Sequence, residues 1–174
     1  MTKREQLDAL CMDMLAHDVG DPKRIQHFLK VEAFAALIGR GERVDEHTQF
    51  IIEAVGYVHD IGIRIAEEKY GYQNGKLQQE LGPDVARTIL LQNGFSGEDT
   101  NRICWLIAHH HMYDAITDMD HQILIEADFL VNLYEDGLER TVAQKVYDRI
   151  FKTETGKTLF YKMFLSDRGF ELSD

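Results

Sequence analysis

The stretch YVHDIGI, residues 57–63, sets two polar side chains, His59 and Asp60, at the end of a strongly apolar run. Ile52 and Val55 recur at helical spacing, and a further step of four reaches His59, so the imidazole falls on the buried face with Asp60 beside it. A polar group buried alone costs about 1–3 kcal/mol, and a charge more. The doublet therefore demands partners from elsewhere in the core, and three other stripes offer them. Val31, Phe34 and Ile38 lead back by one helical step to His27, and Leu124 and Val131 bracket Asp128. Ile103, Leu106 and Ile107 lead on to His110, with His109 about a quarter-turn away.

Helical periodicity fills most of the chain, alternating strand patterns are nearly absent, and only Pro22 and Pro83 interrupt it, which reads as all-α. A helix is expected over 22–38, with Asp21 as N-cap, Pro22 in first position and Gly39 and Gly41 as a stop. Another is expected over 46–59, ended by Gly62, a third from Pro83 to Gly94, and a fourth from Ser96 to His111 with Asp99 in its capping turn. A fifth covers 120–134, and two more follow between 138 and 165, broken near Thr153 to Gly156. The polar segment 63–81 reads as a loop or short helix over the domain, a lid whose Tyr70 and Tyr72 suit stacking on a base. His111 reads as a helix-end residue, and His17, His47 and His121 as surface positions.

At 174 residues with 44% hydrophobic content, the chain is expected to form one domain over 1–174, with a core at 22–135 and the C-terminal helices packed on it. The 19 Lys and Arg against 30 Asp and Glu give a net charge of −11, which disfavours a nucleic acid duplex as partner. Cys11 and Cys104 form no CxxC, so any metal needs histidine and carboxylate ligands. No apolar stretch is long enough for a membrane span or a signal core, so a cytoplasmic protein is expected.

The order of these residues, RIQHFLKV with His27, VHDIG with His59 and Asp60, and EADFLVNL with Asp128, resembles the HD-domain superfamily of metal-dependent phosphohydrolases. The resemblance runs from 27 to 128 and implies a bundle of about six to eight helices around a metal held by His27, His59, Asp60 and Asp128. Two-metal members add further histidines. IAHHHMYD supplies His109 and His110, but the intervening histidine is missing, and KLQQELGP offers Gln78, Gln79 or Glu80 in its place, of which only Glu80 is a good divalent ligand. One metal is expected, with a second left open.

Mixed nitrogen and oxygen ligands suit Mn, Fe, Co, Ni, Zn or Mg. The resemblance implies hydrolysis of a small-molecule phosphate ester by metal-activated water, with Asp60 or Asp128 orienting the water and His109 or His110 protonating or holding an oxygen. Arg64 and Lys76 are the cations expected to meet the phosphate. A non-enzymatic metal- or nucleotide-binding module, or a di-iron oxygenase on the same fold, are the competing readings, and homo-oligomerisation is left open.

Overall fold

The computed structural model describes residues 1–137 and 139–166; Leu138 and residues 167–174, where the expected domain ends, lie outside the described residues. α1 (Lys3–His17) opens on a capping box between Thr2 and Glu5. The sequence reading has no counterpart for it, because exposed Met12 blurs the stripe of Leu7, Leu10 and Met14 that packs inward. α2 (Pro22–Gly41) starts as expected, with the Asp21 carboxylate accepting from the Arg24 amide at 2.9 Å. It does not stop at Gly39. The helix runs through both glycines and is turned by Arg43 at φ 57, with the Val44 amide bonding back to the Gly39 carbonyl.

α3 (Glu46–Val58) is capped by Asp45 and ends at the His59–Asp60 turn. The expected loop over 63–81 is instead mostly helical: α4 (Gly62–Tyr70) and α5 (Gly75–Gln92) leave only 71–74 between them. Asn74 accepts from the Leu77 amide at 2.9 Å and starts α5 early, so Pro83 lies inside the helix, where it removes one hydrogen bond, rather than at its start. Gly62 is not a helix stop either. It is the crossing point of α4 and α5, and a Cβ there would come within 2.7 Å of the Gly82 nitrogen.

α6 (Gly97–His109), capped by Ser96, is followed by α7 (Met119–Glu135), in which 12 of 17 residues are buried. α7 is the axis of the bundle, packing on α2 and α3, while α5 lies across α6 and α4. α8 (Arg140–Ile150), α9 (Glu154–Phe160) and a π-helical turn (Tyr161–Leu165) complete the described chain. No strand occurs among the described residues, and none of their helices is long and apolar enough to cross a membrane.

The C-terminal helices are tied to α7 by a buried carboxylate. Glu126 accepts from the backbone amides of Lys152 (2.6 Å) and Thr153 (2.9 Å), from the Thr153 hydroxyl (2.5 Å) and from the Gln122 amide (2.6 Å). Thr153 in turn caps α9, which gives TETGK the structural role of a helix start.

Candidate metal centre

α2 delivers His27, the turn after α3 delivers His59 and Asp60, and α7 delivers Asp128. The His27 and His59 Nε2 atoms face each other at 3.2 Å. Asp128 Oδ1 lies 3.3 Å from the first and 3.5 Å from the second, and Asp60 Oδ2 lies 4.0 and 3.7 Å from them. Neighbouring groups orient each donor. His27 Nδ1–H donates to Glu135 (3.1 Å), which also accepts from Lys30 (2.7 Å), and His59 Nδ1–H donates to the Gly56 carbonyl (3.1 Å). Asn132 donates to Asp128 Oδ1 at 2.9 Å.

With both Nδ1 positions acting as donors, two Nε2 lone pairs and two carboxylates converge, an arrangement that needs a proton or a cation at its centre. A first-row divalent ion bonded at about 2.0–2.2 Å holds adjacent ligands roughly 3–3.5 Å apart and opposite ones roughly 4 Å apart, so separations of 3.2–4.0 Å suit one ion. In the absence of metal the proton takes this place. Burial opposes a charge on His27, yet Asp128, Asp60 and Glu135 raise it to about 9. Burial also opposes ionisation of the two aspartates, but the histidines around them hold Asp60 below the usual carboxylate range and Asp128 well below it.

A second group, Asp60, His110 and His111, adjoins the first. His110 Nδ1–H donates to the Ile107 carbonyl (2.7 Å), and its Nε2 meets Asp60 Oδ1 at 3.1 Å. His111 lies between Gln78 Oε1 (2.7 Å) and the Tyr113 hydroxyl (3.0 Å), and burial and the His110 charge push it down to about 4.

Four residues singled out in the sequence are not brought to the cluster. His109 bonds to the Trp105 carbonyl and stacks on the Trp105 ring. Arg64 donates to the His17 carbonyl at the end of α1 and to Glu68. Lys76 and Glu80 pair with each other in solvent, their side chains 82% and 56% exposed. His121, expected at the surface, is fully buried, with its Nε2–H donating to the His109 carbonyl, because this part of α7 packs against the Trp105 ring of α6. His47 is exposed as expected.

A cleft of ≈ 310 Å³ opens over the cluster, with His27 and Asp60 reaching it and Lys23, Gln73, Gln78 and His111 among its walls. Asp60 keeps 13% of its side chain exposed, which opens the cluster to a ligand, whereas His110 exposes none. The sequence reading missed Lys23, Asn132 and Glu135. The last two carry a readable signal, since they follow Asp128 at four and seven residues on one face of α7. Lys23 carries none.

A protein-family model described as HD domain matches residues 24–152. The chain belongs to the HD domain family. A crystal structure of a predicted HD superfamily hydrolase from an uncultured Thermotogales bacterium is similar to this HD chain with a TM-score of 0.61 at 23% identity, over 91% of this chain and 83% of that one. At that identity the likeness speaks for the fold. A search of curated proteins gave no match. The matched residues include His59 and Asp60 in their turn after α3.

Proposed function

We propose that this HD-family chain is a divalent-metal-dependent phosphohydrolase that cleaves a phosphomonoester or phosphodiester of a nucleotide-like small molecule. The supporting observation is the convergence of His27, His59, Asp60 and Asp128 at the floor of a cleft with Lys23 at its wall. His27, His59, Asp60 and Asp128 would hold the divalent ion, which would supply Lewis-acid activation of a water and of a phosphoryl oxygen.

The chain's own residues set the geometry for that chemistry. Glu135 with Lys30 orients His27, the Gly56 carbonyl orients His59, and Asn132 holds Asp128. His110 holds Asp60 Oδ1, leaving Oδ2 toward the other donors. His110 is thus a positioning residue in this reading, and His111 is the imidazole facing the substrate. Lys23, exposed and making no ion pair among the described residues, meets the phosphate charge. Arg24 shapes the same wall but is neutralised by Asp18, Asp21 and Glu67.

In this reading residues 1–174 act as one domain, with the C-terminal helices bracing α7 through Glu126, and the protein works on a small molecule in the cytoplasm. Phosphate release from p-nitrophenyl phosphate and a nucleotide panel, assayed with Mn, Fe, Co, Ni, Zn and Mg, tests the assignment. Turnover with at least one ion, abolished in Asp60→Ala together with metal binding, is expected. Silence with every ion, or activity that survives the substitution, contradicts it.

A further inference from the structure

Two groups of titratable side chains share Asp60, yet they differ in how many donor atoms are free. In the first, His27 Nε2, His59 Nε2, Asp128 Oδ1 and Asp60 Oδ2 all face one centre. In the second, both nitrogens of His111 are already bonded. Tyr113 Oη lies 3.0 Å from Nδ1, Gln78 Oε1 lies 2.7 Å from Nε2, and Gln78 Nε2 donates onward to Gln73 Oε1 at 2.6 Å.

The chain Tyr113–His111–Gln78–Gln73 can run in either direction, according to the histidine tautomer and the amide orientation. In both directions neither ring nitrogen has an unused lone pair. His110 is similarly restricted, because Nδ1–H donates to the Ile107 carbonyl and only Nε2 remains. That leaves His110 Nε2 and Asp60 Oδ1, two donors where a catalytic ion takes about three protein ligands. Gln78 is 7% exposed and held at both ends of its amide, so releasing His111 would strand a buried polar group.

We propose that Asp60, His110 and His111 form a hydrogen-bonded wall of the cleft rather than a second metal subsite, that Gln78 is the residue that fixes this, and that each chain holds one divalent ion. The inference rests on the metal-centre reading above and adds its stoichiometry. The wall also ties Gln73, in the 71–74 connection between α4 and α5, to the substrate side of the site.

Metal counting tests it. Purified protein is saturated with Mn²⁺ or Co²⁺, freed of excess by gel filtration and analysed for metal per chain, and the count is repeated on Gln78→Glu, which swaps the amide for a carboxylate ligand of similar shape. The expected counts are one ion in the wild type and two in Gln78→Glu. Two ions in the wild type overturn the inference while leaving a metal-dependent hydrolase intact, and none with either ion overturns the metal-centre reading itself. One ion in both proteins, with Gln78→Glu folded by circular dichroism, removes Gln78 from its assigned role. Electron paramagnetic resonance of the Mn²⁺-loaded wild type gives an independent count that needs no variant: an uncoupled single-ion spectrum supports one site, and a spin-coupled pair overturns it.

Discussion

At the scale of single residues, the account turns on which atoms of His27 carry protons. Its Nδ1 is anchored on Glu135, so Nε2 holds a proton when metal is absent and must lose it when metal binds. With His27 raised to about 9, metal affinity measured by competition calorimetry should rise about tenfold per pH unit between pH 6.5 and 8.5 and level off near 9. A flat profile would mean that His27 is not a ligand. The sign for stability is opposite in metal-free protein. The His27 contribution is fully present below its unfolded value of 6.5 and is lost as pH rises through about 9. The Asp60 and Asp128 contributions are present above 3.8 and lost as pH falls through their lowered folded values, so this cluster stabilises the metal-free fold most between these limits. Glu135→Gln or Asn132→Leu should weaken metal binding by about 10–100-fold while leaving circular dichroism unchanged, because these side chains orient ligands rather than bind the ion. The four candidate ligands were legible in the sequence, since His27, His59 and Asp128 sit where an apolar stripe would otherwise continue and Asp60 stands beside His59. Lys23 and Gln73 were not, because a residue at a cleft wall obeys no periodicity.

At the scale of elements, the glycine of HDIG illustrates what periodicity cannot reveal. It resembles a helix stop, but its function depends on Gly82, which lies 20 residues away in sequence and touches it only in the fold. Gly62→Ala should therefore force α4 and α5 apart and lower stability by about 1–3 kcal/mol in urea unfolding, where a substitution at an ordinary helix stop costs less. Pro83 misled for a related reason: the start signal at Asn74 and the packing of α5 on α6 outweigh the hydrogen bond the proline removes. Glu126 makes the same point on α7. Within EAD it lies two residues before the candidate ligand Asp128, yet it serves α9, and Glu126→Ala should cost about 2–4 kcal/mol by leaving the Lys152 and Thr153 amides without an acceptor. An unchanged melting curve would show that the C-terminal helices are held by apolar packing alone.

At the scale of the molecule, the all-α class and most helix positions followed from composition and a 3.6-residue period, whereas α1, α4 and the early start of α5 depended on caps and long-range packing. The bundle brings α2, α3 and α7 to one point and places the candidate metal centre where they meet, so ion binding there should stabilise the whole fold. At a free ion concentration about 100 times the dissociation constant, the gain is about 2.7 kcal/mol, which corresponds to a rise in Tm of roughly 5–10 °C for a chain of this size. Chelation should reverse it. The most direct test of the centre is anomalous diffraction from crystals soaked in Mn²⁺. The account predicts one strong peak per chain enclosed by His27, His59, Asp60 and Asp128, and a peak elsewhere, or none at full soaking, would contradict it.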